Sequence, residues 1–426
     1  MDDTASASPA EARASAGIWR NRNLLILVGG QWVSQAGTQL FTMAVYWTVL
    51  SQTHSRSDLG FVGSLLSLAA IFGLVAGALV DRWDRRRTLI WVDSVRAVLA
   101  ASLVAAALAD RLPVFALVAV VLAMSIVGQF FYPAESALLP AVVAADDLVA
   151  ANSLNQGASA SAQLLGAALG GVILGLLGPT ILFGFNALSF AVSVASLMLI
   201  RLAVAPPPRV RAAGAGLGAA AASLWREIME GQRLIWRDPF LRRALPVSVM
   251  VNFALAPITF LDVAWVRQVL HLGAVVYGLF GVAIVVGILI GSALASLVAP
   301  RVALPRLVMV LVAAAGLCVF GLSRLPVVAP DLAFLAAFGL FVGVLNTAVA
   351  AAMQRSVPDA VRGRVFGALS AFSNLAIPFG GLLAGIGAAL VPLGALFAGA
   401  GLVLAATALL TIGMPGVARL EVTAGA

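Results

Sequence analysis

The sequence predicts an all-α membrane protein in which twelve transmembrane helices form two pseudo-symmetric six-helix bundles. Three observations lead to this prediction: 62% of the 426 residues are hydrophobic, 10% are charged, and the mean hydropathy is +1.05. An ordinary soluble domain carries roughly 25% charged residues. The chain has too few charged side chains to cover the surface of a water-soluble enzyme of its length, so that class of protein is excluded.

The twelve spans follow from hydropathy, because a helix needs about 20 apolar residues to cross the hydrocarbon core of a bilayer. We number them span 1 to span 12 in chain order. Spans 1 to 6 are expected near 23–50, 58–80, 88–109, 113–139, 149–177 and 179–200. Spans 7 to 12 are expected near 242–270, 273–299, 303–323, 331–353, 363–388 and 391–413.

These spans divide the chain into five parts. A disordered cytoplasmic tail (1–22), a first bundle (23–201), a linker (202–241), a second bundle (242–413) and a C-terminal cytoplasmic tail (414–426) follow one another. Between Ser223 and Arg243 the linker carries apolar residues at roughly helical spacing among charged ones. This pattern is typical of an amphipathic helix on the inner membrane face. A simple solvated linker is the alternative.

Arginine placement predicts the orientation in the membrane. All 26 basic residues are arginine, and only Arg56, Arg111, Arg267 and Arg324 lie on the turns of one side. An excess of basic residues marks cytoplasmic loops, so both termini are expected in the cytoplasm and the protein in the cell (inner) membrane. We call the arginine-rich side the predicted inner side and the other the predicted outer side. The positive charge then faces anionic lipid, and no nucleic acid is expected as a partner.

Several kinds of chemistry are excluded by composition. The absence of lysine excludes a Walker A phosphate loop and a pyridoxal Schiff base. One cysteine (Cys318) and two histidines (His54 and His271) cannot build a zinc site or an iron–sulfur cluster. We therefore predict no cofactor and no metal. A membrane-embedded enzyme or sensor would need a clustered catalytic site, and it stays only a remote alternative.

The two halves of the chain resemble each other. Asp147 before span 5 corresponds to Asp359 before span 11, and Gly170-Gly171 corresponds to Gly380-Gly381. Both offsets are near half the chain length. Parallel six-span halves with a substrate site between them are a transporter architecture.

The loop after span 2, Gly77-Ala-Leu-Val-Asp81-Arg82-Trp83-Asp84-Arg85-Arg86-Arg87, resembles the motif G-x-x-x-D-R-x-G-R-R of the major facilitator superfamily. Asp84 stands where the family prefers glycine. Leu139-Pro140 through Asn155, Trp236 through Arg242 and Val357 through Gly367 are similar to the branch that contains enterobactin exporters and macrolide efflux proteins. The resemblance implies the major facilitator fold and a monomeric secondary active transporter for efflux.

In the family this loop latches the inner ends of the halves together in the outward-open state. The resemblance and the neighbouring charges give a predicted gate of Gly77, Asp81, Arg82, Arg85, Asp93, Arg96, Arg362 and Arg364. Asp93 and Arg96 are three residues apart on span 3, which allows a local ion pair. The alternative is that these charges set topology and pair locally.

Span 1 carries a polar stripe, since Gln31, Gln35 and Gln39 recur every four residues with Thr38 beside them. In the family, spans 1, 4, 7 and 10 line the central cavity. The predicted substrate-binding residues are Gln31, Gln35, Thr38, Gln39, Asn155, Asn252, Asn346 and Asn374. Amides and hydroxyls suit a neutral or weakly charged amphipathic molecule such as a drug, a siderophore or a secondary metabolite. Helix–helix hydrogen bonding is the alternative role of the stripe.

Export against a gradient requires an energy source, and protons are the expected coupling ion because the chain has no nucleotide site. Many members of the branch carry an acid near the position of Thr38. We therefore expect Glu135 in span 4, and next Asp262 in span 7, to carry the proton. Glu135 could instead pair with Arg96 or Arg85 in the gate or lie at the interface, and Asp262 could lie at the outer water boundary. An uncoupled or importing carrier is the alternative function.

The gate motif generates a first prediction. Asp81→Asn is expected to slow transport while leaving the protein folded and inserted, because it removes a charged latch between the halves. Labelling of single cysteines placed in the cavity should shift from one membrane face to the other. Transport and labelling equal to the parent protein would show that the loop only sets topology.

Overall fold

The computed structural model describes residues 18–80, 83–200, 226 and 229–416. Within these ranges all regular secondary structure is helical and no strand is found. The predicted spans appear as follows in the first half of the chain. Span 1 is Arg22–Thr53, span 2 is Arg56–Leu68 with Ile71–Val80, span 3 is Arg85–Leu108, span 4 is Val114–Gly128 with Phe131–Leu138, span 5 is Leu148–Leu177 and span 6 is Pro179–Leu199.

The second half begins with a short helix over 229–237, which belongs to the predicted linker. The spans follow it. Span 7 is Pro239–Ala264 with a π-helical turn Trp265–Val269, span 8 is Ala274–Val298, span 9 is Leu304–Arg324, span 10 is Val328–Ser356, span 11 is Asp359–Leu390 and span 12 is Leu393–Thr407 with a 3-10 turn Ala408–Thr411. With these turns included, the boundaries lie within about one helical turn of their predicted positions.

Ten helices of the described residues are long and apolar enough to cross a membrane. Span 1 is a 32-residue helix that is not among the ten, since its glutamines lower its hydropathy. Span 2 is not among them because a turn at 69–70 divides it into helices of 13 and 10 residues. The helical membrane fold is therefore confirmed, while the count of twelve crossings stays a prediction.

Local sequence signals explain where several helices begin. Asp84 caps span 3, because its Oδ1 accepts a hydrogen bond from the backbone N–H of Arg87 at 2.8 Å. Asp238 caps span 7 in the same way through the N–H of Leu241 at 2.7 Å. Such caps satisfy N–H groups that have no partner within the helix. The cap also accounts for an aspartate at position 84, where a glycine was expected.

The helices fall into two compact units, which we describe separately. The described part of the first unit comprises 18–44, 69–80, 83–173 and 177–200. At its predicted inner end, all six spans contribute to one apolar core. Its buried residues are Leu24, Leu27, Val28, Val80, Leu89, Ala134, Leu138, Leu139, Val143, Ala151, Leu197 and Ile200.

The second unit contains spans 7 to 12 together with residues 45–68, the predicted outer ends of spans 1 and 2. The first half of span 2 packs closely on span 11, where Gly60 lies against the backbone of Gly385. An added Cβ at Gly63 would lie 2.5 Å from the Phe260 ring, and one at Gly381 would lie 2.5 Å from Ser64 Oγ. Small residues at such crossings let helix backbones approach each other. The turn at 69–70 is the point where span 2 passes from one unit to the other.

The linker helix 229–237 packs on the inner end of span 11. Ile235 is fully buried in an apolar cluster with Val361 and Val365, and Gly231 lies against the carbonyl of Arg364. Arg364 also forms an ion pair with Glu230 at 3.0 Å. The apolar face of this helix therefore contacts the protein, whereas the sequence suggested a helix on the membrane surface. Residues 201–225 of the linker lie outside the described residues.

Spans 8 and 10 cross through two reciprocal pairs of glycines. Gly287 and Gly291 of span 8 lie against the backbone of span 10, and Gly339 and Gly343 of span 10 lie against the backbone of span 8. At each of the four glycines an added Cβ would overlap a main-chain carbonyl oxygen of the partner helix. Because a carbonyl held in a helix cannot move aside, this crossing tolerates no larger residue without separating the helices.

This crossing generates a second prediction. Gly343→Ala should lower the stability of the folded protein by about 1–3 kcal/mol, the usual cost of overpacking a close contact. Gly399→Ala is the matched control, since Gly399 lies in the helix of span 12 with open space at its Cβ position. The control should be neutral or slightly stabilising, because alanine favours helices. Thermal unfolding of the purified protein in detergent measures both, and equal melting temperatures for the two variants would contradict the prediction.

Candidate functional site

A buried ionic group lies between spans 3 and 6 of the first unit. Asp93 is completely buried, its Oδ1 lies 3.6 Å from Arg96 Nη1, and its Oδ2 accepts a hydrogen bond from Ser193 Oγ at 2.5 Å. The guanidinium of Arg96 lies 4.2 Å from the centroid of the Phe190 ring, which adds a cation–π contact. The local pair of Asp93 and Arg96 expected from their spacing is therefore formed, while its role in a gate stays a prediction.

Ser193 connects this pair to span 1. Gln31 is buried and its Nε2 donates a hydrogen bond to Ser193 Oγ at 3.4 Å. Among the described residues, Gln31 Oε1, Asp93 Oδ1 and Arg96 Nε have no hydrogen-bond partner, although all three atoms are buried. Buried polar atoms in native proteins usually have partners, so this network has unused donor and acceptor capacity.

Glu135 lies next to the same network on the short second helix of span 4. Its side chain is 6% exposed, and Oε1 accepts a hydrogen bond from Asn155 Nδ2 of span 5 at 3.3 Å. Its charge lies close enough to interact with that of Asp93. In the described part of the chain no ion pair joins Glu135 to Arg96 or Arg85, so the predicted pairing with either arginine is not present.

We name Gln31, Asp93, Arg96, Glu135, Asn155 and Ser193 the carboxylate cluster. Five of the six were predicted site residues, and they came from three different predicted roles. The cluster holds two carboxylates and one guanidinium, so it carries one excess negative charge when both acids are ionised. One bound proton would neutralise that excess, which gives the cluster the chemistry of a proton-binding site.

Ser193 is the member that sequence reasoning missed. Span 6 carries Asn186, Ser189, Ser193 and Ser196, and nothing in the sequence distinguishes Ser193 from the other three. Only its contact with Asp93, one hundred positions away in the chain, identifies it.

Asp262 lies near the predicted outer end of the second unit, among aromatic rings. Its Oδ1 accepts a hydrogen bond from the N–H of Val263 at 2.7 Å, and Tyr46 and Tyr277 lie nearby. Tyr277 stacks on Trp47 with ring centroids 6.5 Å apart. The acid is partly buried, as expected for either of its predicted roles.

Spans 1 and 2 are tied to span 7 at the same end. Arg267 lies over the Trp47 ring, 5.0 Å from its centroid, and Arg56 Nε donates a hydrogen bond to Gln268 Oε1. Both contacts join the π-helical turn of span 7 to the outer ends of spans 1 and 2. We name these two contacts the outer clasp. Arg267 does not pair with Asp262, in agreement with their unfavourable spacing in the sequence.

Arginines also bind helix ends on the predicted inner side. Arg86 donates two hydrogen bonds of 2.7 Å to the carbonyls of Leu197 and Met198 at the end of span 6. Arg362 binds the carbonyls of Gln354 and Val357 at the end of span 10, at 2.8 and 3.2 Å. A cation at a helix C-terminus is favoured by the helix dipole. The two arginines have matching roles in the two units, yet only Arg362 was in the predicted gate.

The rest of the predicted gate is only partly described. Asp81 and Arg82 lie outside the described residues. Gly77 has open space at its Cβ position, and Arg85 is partly exposed. Arg364 is bound to Glu230 of the linker helix, as described above.

The remaining predicted substrate residues differ in exposure. Thr38 and Asn252 donate hydrogen bonds to carbonyls of their own helices, those of Ser34 and Ser248. Gln35 and Gln39 are partly exposed, and Asn346 and Asn374 are exposed. Substrate binding by these residues stays a prediction. Gln31 and Asn155 instead bond across helices, which is the alternative role proposed for the span 1 stripe.

A buried acid that the sequence analysis did not single out lies at the predicted outer end of span 10. Asp331 is completely buried, and its Oδ2 accepts a hydrogen bond from the indole N–H of Trp265 at 2.9 Å. It lies in the first turn of the helix, where the sequence predicts the start of span 10. In the described ranges no group of three or more histidine, cysteine, aspartate or glutamate side chains could hold a metal ion.

Comparison with known proteins gives one family. The profile of the Major Facilitator Superfamily matches residues 27–381. The multidrug efflux pump Tap of Mycolicibacterium fortuitum is 26% identical over 384 residues, which cover 85% of this chain and 88% of that protein. Macrolide efflux protein A of Streptococcus pyogenes is 22% identical over 365 residues, covering 84% of this chain and 87% of that protein.

Solved structures agree on the fold. The nucleoside transporter NupG matches with a TM-score of 0.70 at 13% identity, covering 92% of this chain and 98% of that chain. A bacterial homologue of the human lysosomal transporter Spinster matches with a TM-score of 0.69 at 13% identity, covering 96% of each chain.

The carboxylate cluster generates a third prediction. Ser193→Ala should destabilise the protein by about 1–3 kcal/mol, because it leaves a buried carboxylate oxygen without its donor. Ser102→Ala in span 3 is the matched control, since Ser102 is exposed and bonds only the Leu99 carbonyl of its own helix. Thermal unfolding in detergent should separate the two variants. A melting temperature of Ser193→Ala equal to that of the control would contradict the assigned hydrogen bond.

Proposed function

Because the chain belongs to the major facilitator superfamily, we propose that it is a secondary active transporter that exports an amphipathic small molecule in exchange for protons. Relatives named as a multidrug efflux pump and a macrolide efflux protein support export and this class of substrate. The many amides and hydroxyls of spans 1, 5 and 7, with few fixed charges, support a neutral or weakly charged molecule.

The proposal of proton coupling rests on the two buried acids of the carboxylate cluster. Acids inside a membrane are costly and are usually retained for function. Here Asp93 has a cation, whereas among the described residues Glu135 has only the amide of Asn155 as a side-chain partner. Glu135 is therefore the acid whose charge is least compensated within the cluster, and we assign the coupling proton to it. Asp262, with its tyrosine neighbours, is the second candidate.

Membership of the family supports a mechanism of alternating access. The carboxylate cluster provides contacts through which proton binding can affect that movement. A proton on Glu135 removes its repulsion of Asp93, which changes how strongly Asp93 holds Arg96 and Ser193. These contacts join spans 3 and 6, and Ser193 extends them to span 1. Binding and release of the proton would thus change the packing of spans 3 and 6 against span 1, which is one of the spans that line the cavity in the family.

We place the protein in the cell (inner) membrane as a monomer, with both termini in the cytoplasm. The excess of arginine on the predicted inner side supports this orientation. Arg86 and Arg362, which bind helix ends on that side, also supply local structural reasons for keeping arginine there.

The fourth prediction tests the coupling residue. Glu135→Gln should abolish accumulation of a radiolabelled macrolide in inverted vesicles driven by an inwardly acidic gradient. It should preserve macrolide-on-macrolide exchange, because exchange requires no net proton movement. Asp110→Asn is the matched control, since Asp110 is an exposed acid in a predicted outer turn whose left-handed backbone asparagine tolerates. The control should accumulate the macrolide like the parent.

Three other outcomes are informative. Full gradient-driven accumulation by the Glu135→Gln, Asp262→Asn double variant would show that neither acid carries the proton. Transport by the parent protein at a rate that does not depend on the proton gradient would favour an uncoupled carrier. Accumulation in right-side-out vesicles in place of inverted ones would favour import.

A further inference from the structure

The outer end of span 7 is not an ordinary α-helix. At Trp265–Val269 the helix widens into a π-helical turn, closed by the hydrogen bond from the N–H of Leu270 to the carbonyl of Trp265 at 3.0 Å. Such a turn holds one more residue than an α-helical turn and therefore redirects the side chains in it. π-Helical turns are less stable than regular helix and need support from their surroundings.

Trp265 provides that support from the buried side of the turn. It is 1% exposed, and its ring stacks on Phe397 of span 12 with centroids 5.0 Å apart and an interplanar angle of 17°. The indole N–H donates to Asp331 of span 10 at 2.9 Å. Stacking fixes the plane of the ring, and the hydrogen bond fixes its rotation within that plane.

Asp331 is placed unusually for a residue with only a structural role. It is completely buried, its Oδ1 has no hydrogen-bond partner among the described residues, and it makes no ion pair with any described cation. Its compensation comes from the N-terminal turn of span 10, where backbone N–H groups carry partial positive charge, and from the Trp265 N–H. A buried acid held in this way is an acceptor of fixed position.

The same turn bears the outer clasp on two partly buried residues. Arg267 contacts Trp47 of span 1, and Gln268 contacts Arg56 of span 2. The direction in which these two side chains point depends on the geometry of the π-helical turn. Trp265 and the two clasp residues of span 7 therefore belong to a single backbone turn.

We propose that Asp331 is a positioning residue for closure of the predicted outer side. Through Trp265 it holds the π-helical turn in the form that directs Arg267 and Gln268 towards spans 1 and 2. Loss of the Asp331 acceptor frees the indole, lets the turn relax to regular helix and weakens the outer clasp. The proposal concerns closure alone and does not depend on the substrate or on the coupling ion.

Cysteine labelling on intact cells tests this without any transport assay. Cys318→Ala removes the single native cysteine, and Ser64→Cys then places a reporter on span 2, where Ser64 is buried against Gly381. A membrane-impermeant maleimide reaches the reporter from outside only when the outer ends separate. Asp331→Leu and Trp265→Phe should each raise the labelling rate by about ten-fold, the shift expected for the loss of one hydrogen bond to a charged group.

Asp331→Asn is the matched variant, since it keeps a side-chain oxygen that accepts the indole N–H, and it should label nearly as slowly as the parent. The Asp331→Leu, Trp265→Phe double variant should label no faster than either single variant, because both remove the same contact. Parental rates for Asp331→Leu and Trp265→Phe would overturn the proposal, as would equal rates for Asp331→Asn and Asp331→Leu.

A second reporter separates closure from general unfolding. Ser189→Cys places a reporter at a buried position of span 6 in the first unit, which contains none of the clasp residues. Its labelling should stay at the parental rate in every variant of Asp331 and Trp265. A parallel rise at both reporters would show that the substitutions loosen the whole protein, and this too would overturn the proposal.

Discussion

The cost of placing charge in the hydrocarbon core is the constraint on which the rest of this structure depends. Different contacts offset this cost for each embedded charge. Asp93 pairs with Arg96 and accepts a hydrogen bond from Ser193 of span 6, Arg267 lies on the ring of Trp47, and Asp331 accepts the indole N–H of Trp265 at a helix N-terminus. Each solution joins two or more spans. The embedded charges thus serve as the specific contacts between helices whose surfaces are otherwise apolar and interchangeable.

Hydropathy was sufficient to locate the spans, because the length of a membrane helix is set by the bilayer and by few other factors. It could not locate the turns at 69–70 and 129–130 or the π-helical turn of span 7. Each irregularity lies inside a stretch that hydropathy assigns to one continuous span, so hydropathy does not mark it. They depend on contacts with other helices, such as the one that fixes Trp265, and those contacts are not encoded in local sequence.

The site residues likewise include relations that local sequence predicts and relations that depend on contacts between helices. Asp93 and Arg96 could be paired from the sequence, since their spacing is that of one helical turn. Their connection to Gln31 and Glu135 could not, because it passes through Ser193 and through the packing of five spans. Asp331 was overlooked for a related reason: an acid in the first turn of a membrane helix is ordinarily wet, and only the fold reveals that this one is buried.

The reciprocal glycines of spans 8 and 10 have a consequence for how this sequence can vary. Each glycine fits against the main chain of the opposite helix. A side chain at any of these positions would need space that the main chain of the other helix already fills, and no substitution on that helix can remove its main chain. Substitutions on the two helices cannot compensate for each other in the way that large and small side chains do in an ordinary core. Gly287, Gly291, Gly339 and Gly343 should therefore vary little among close homologues, whatever those homologues carry.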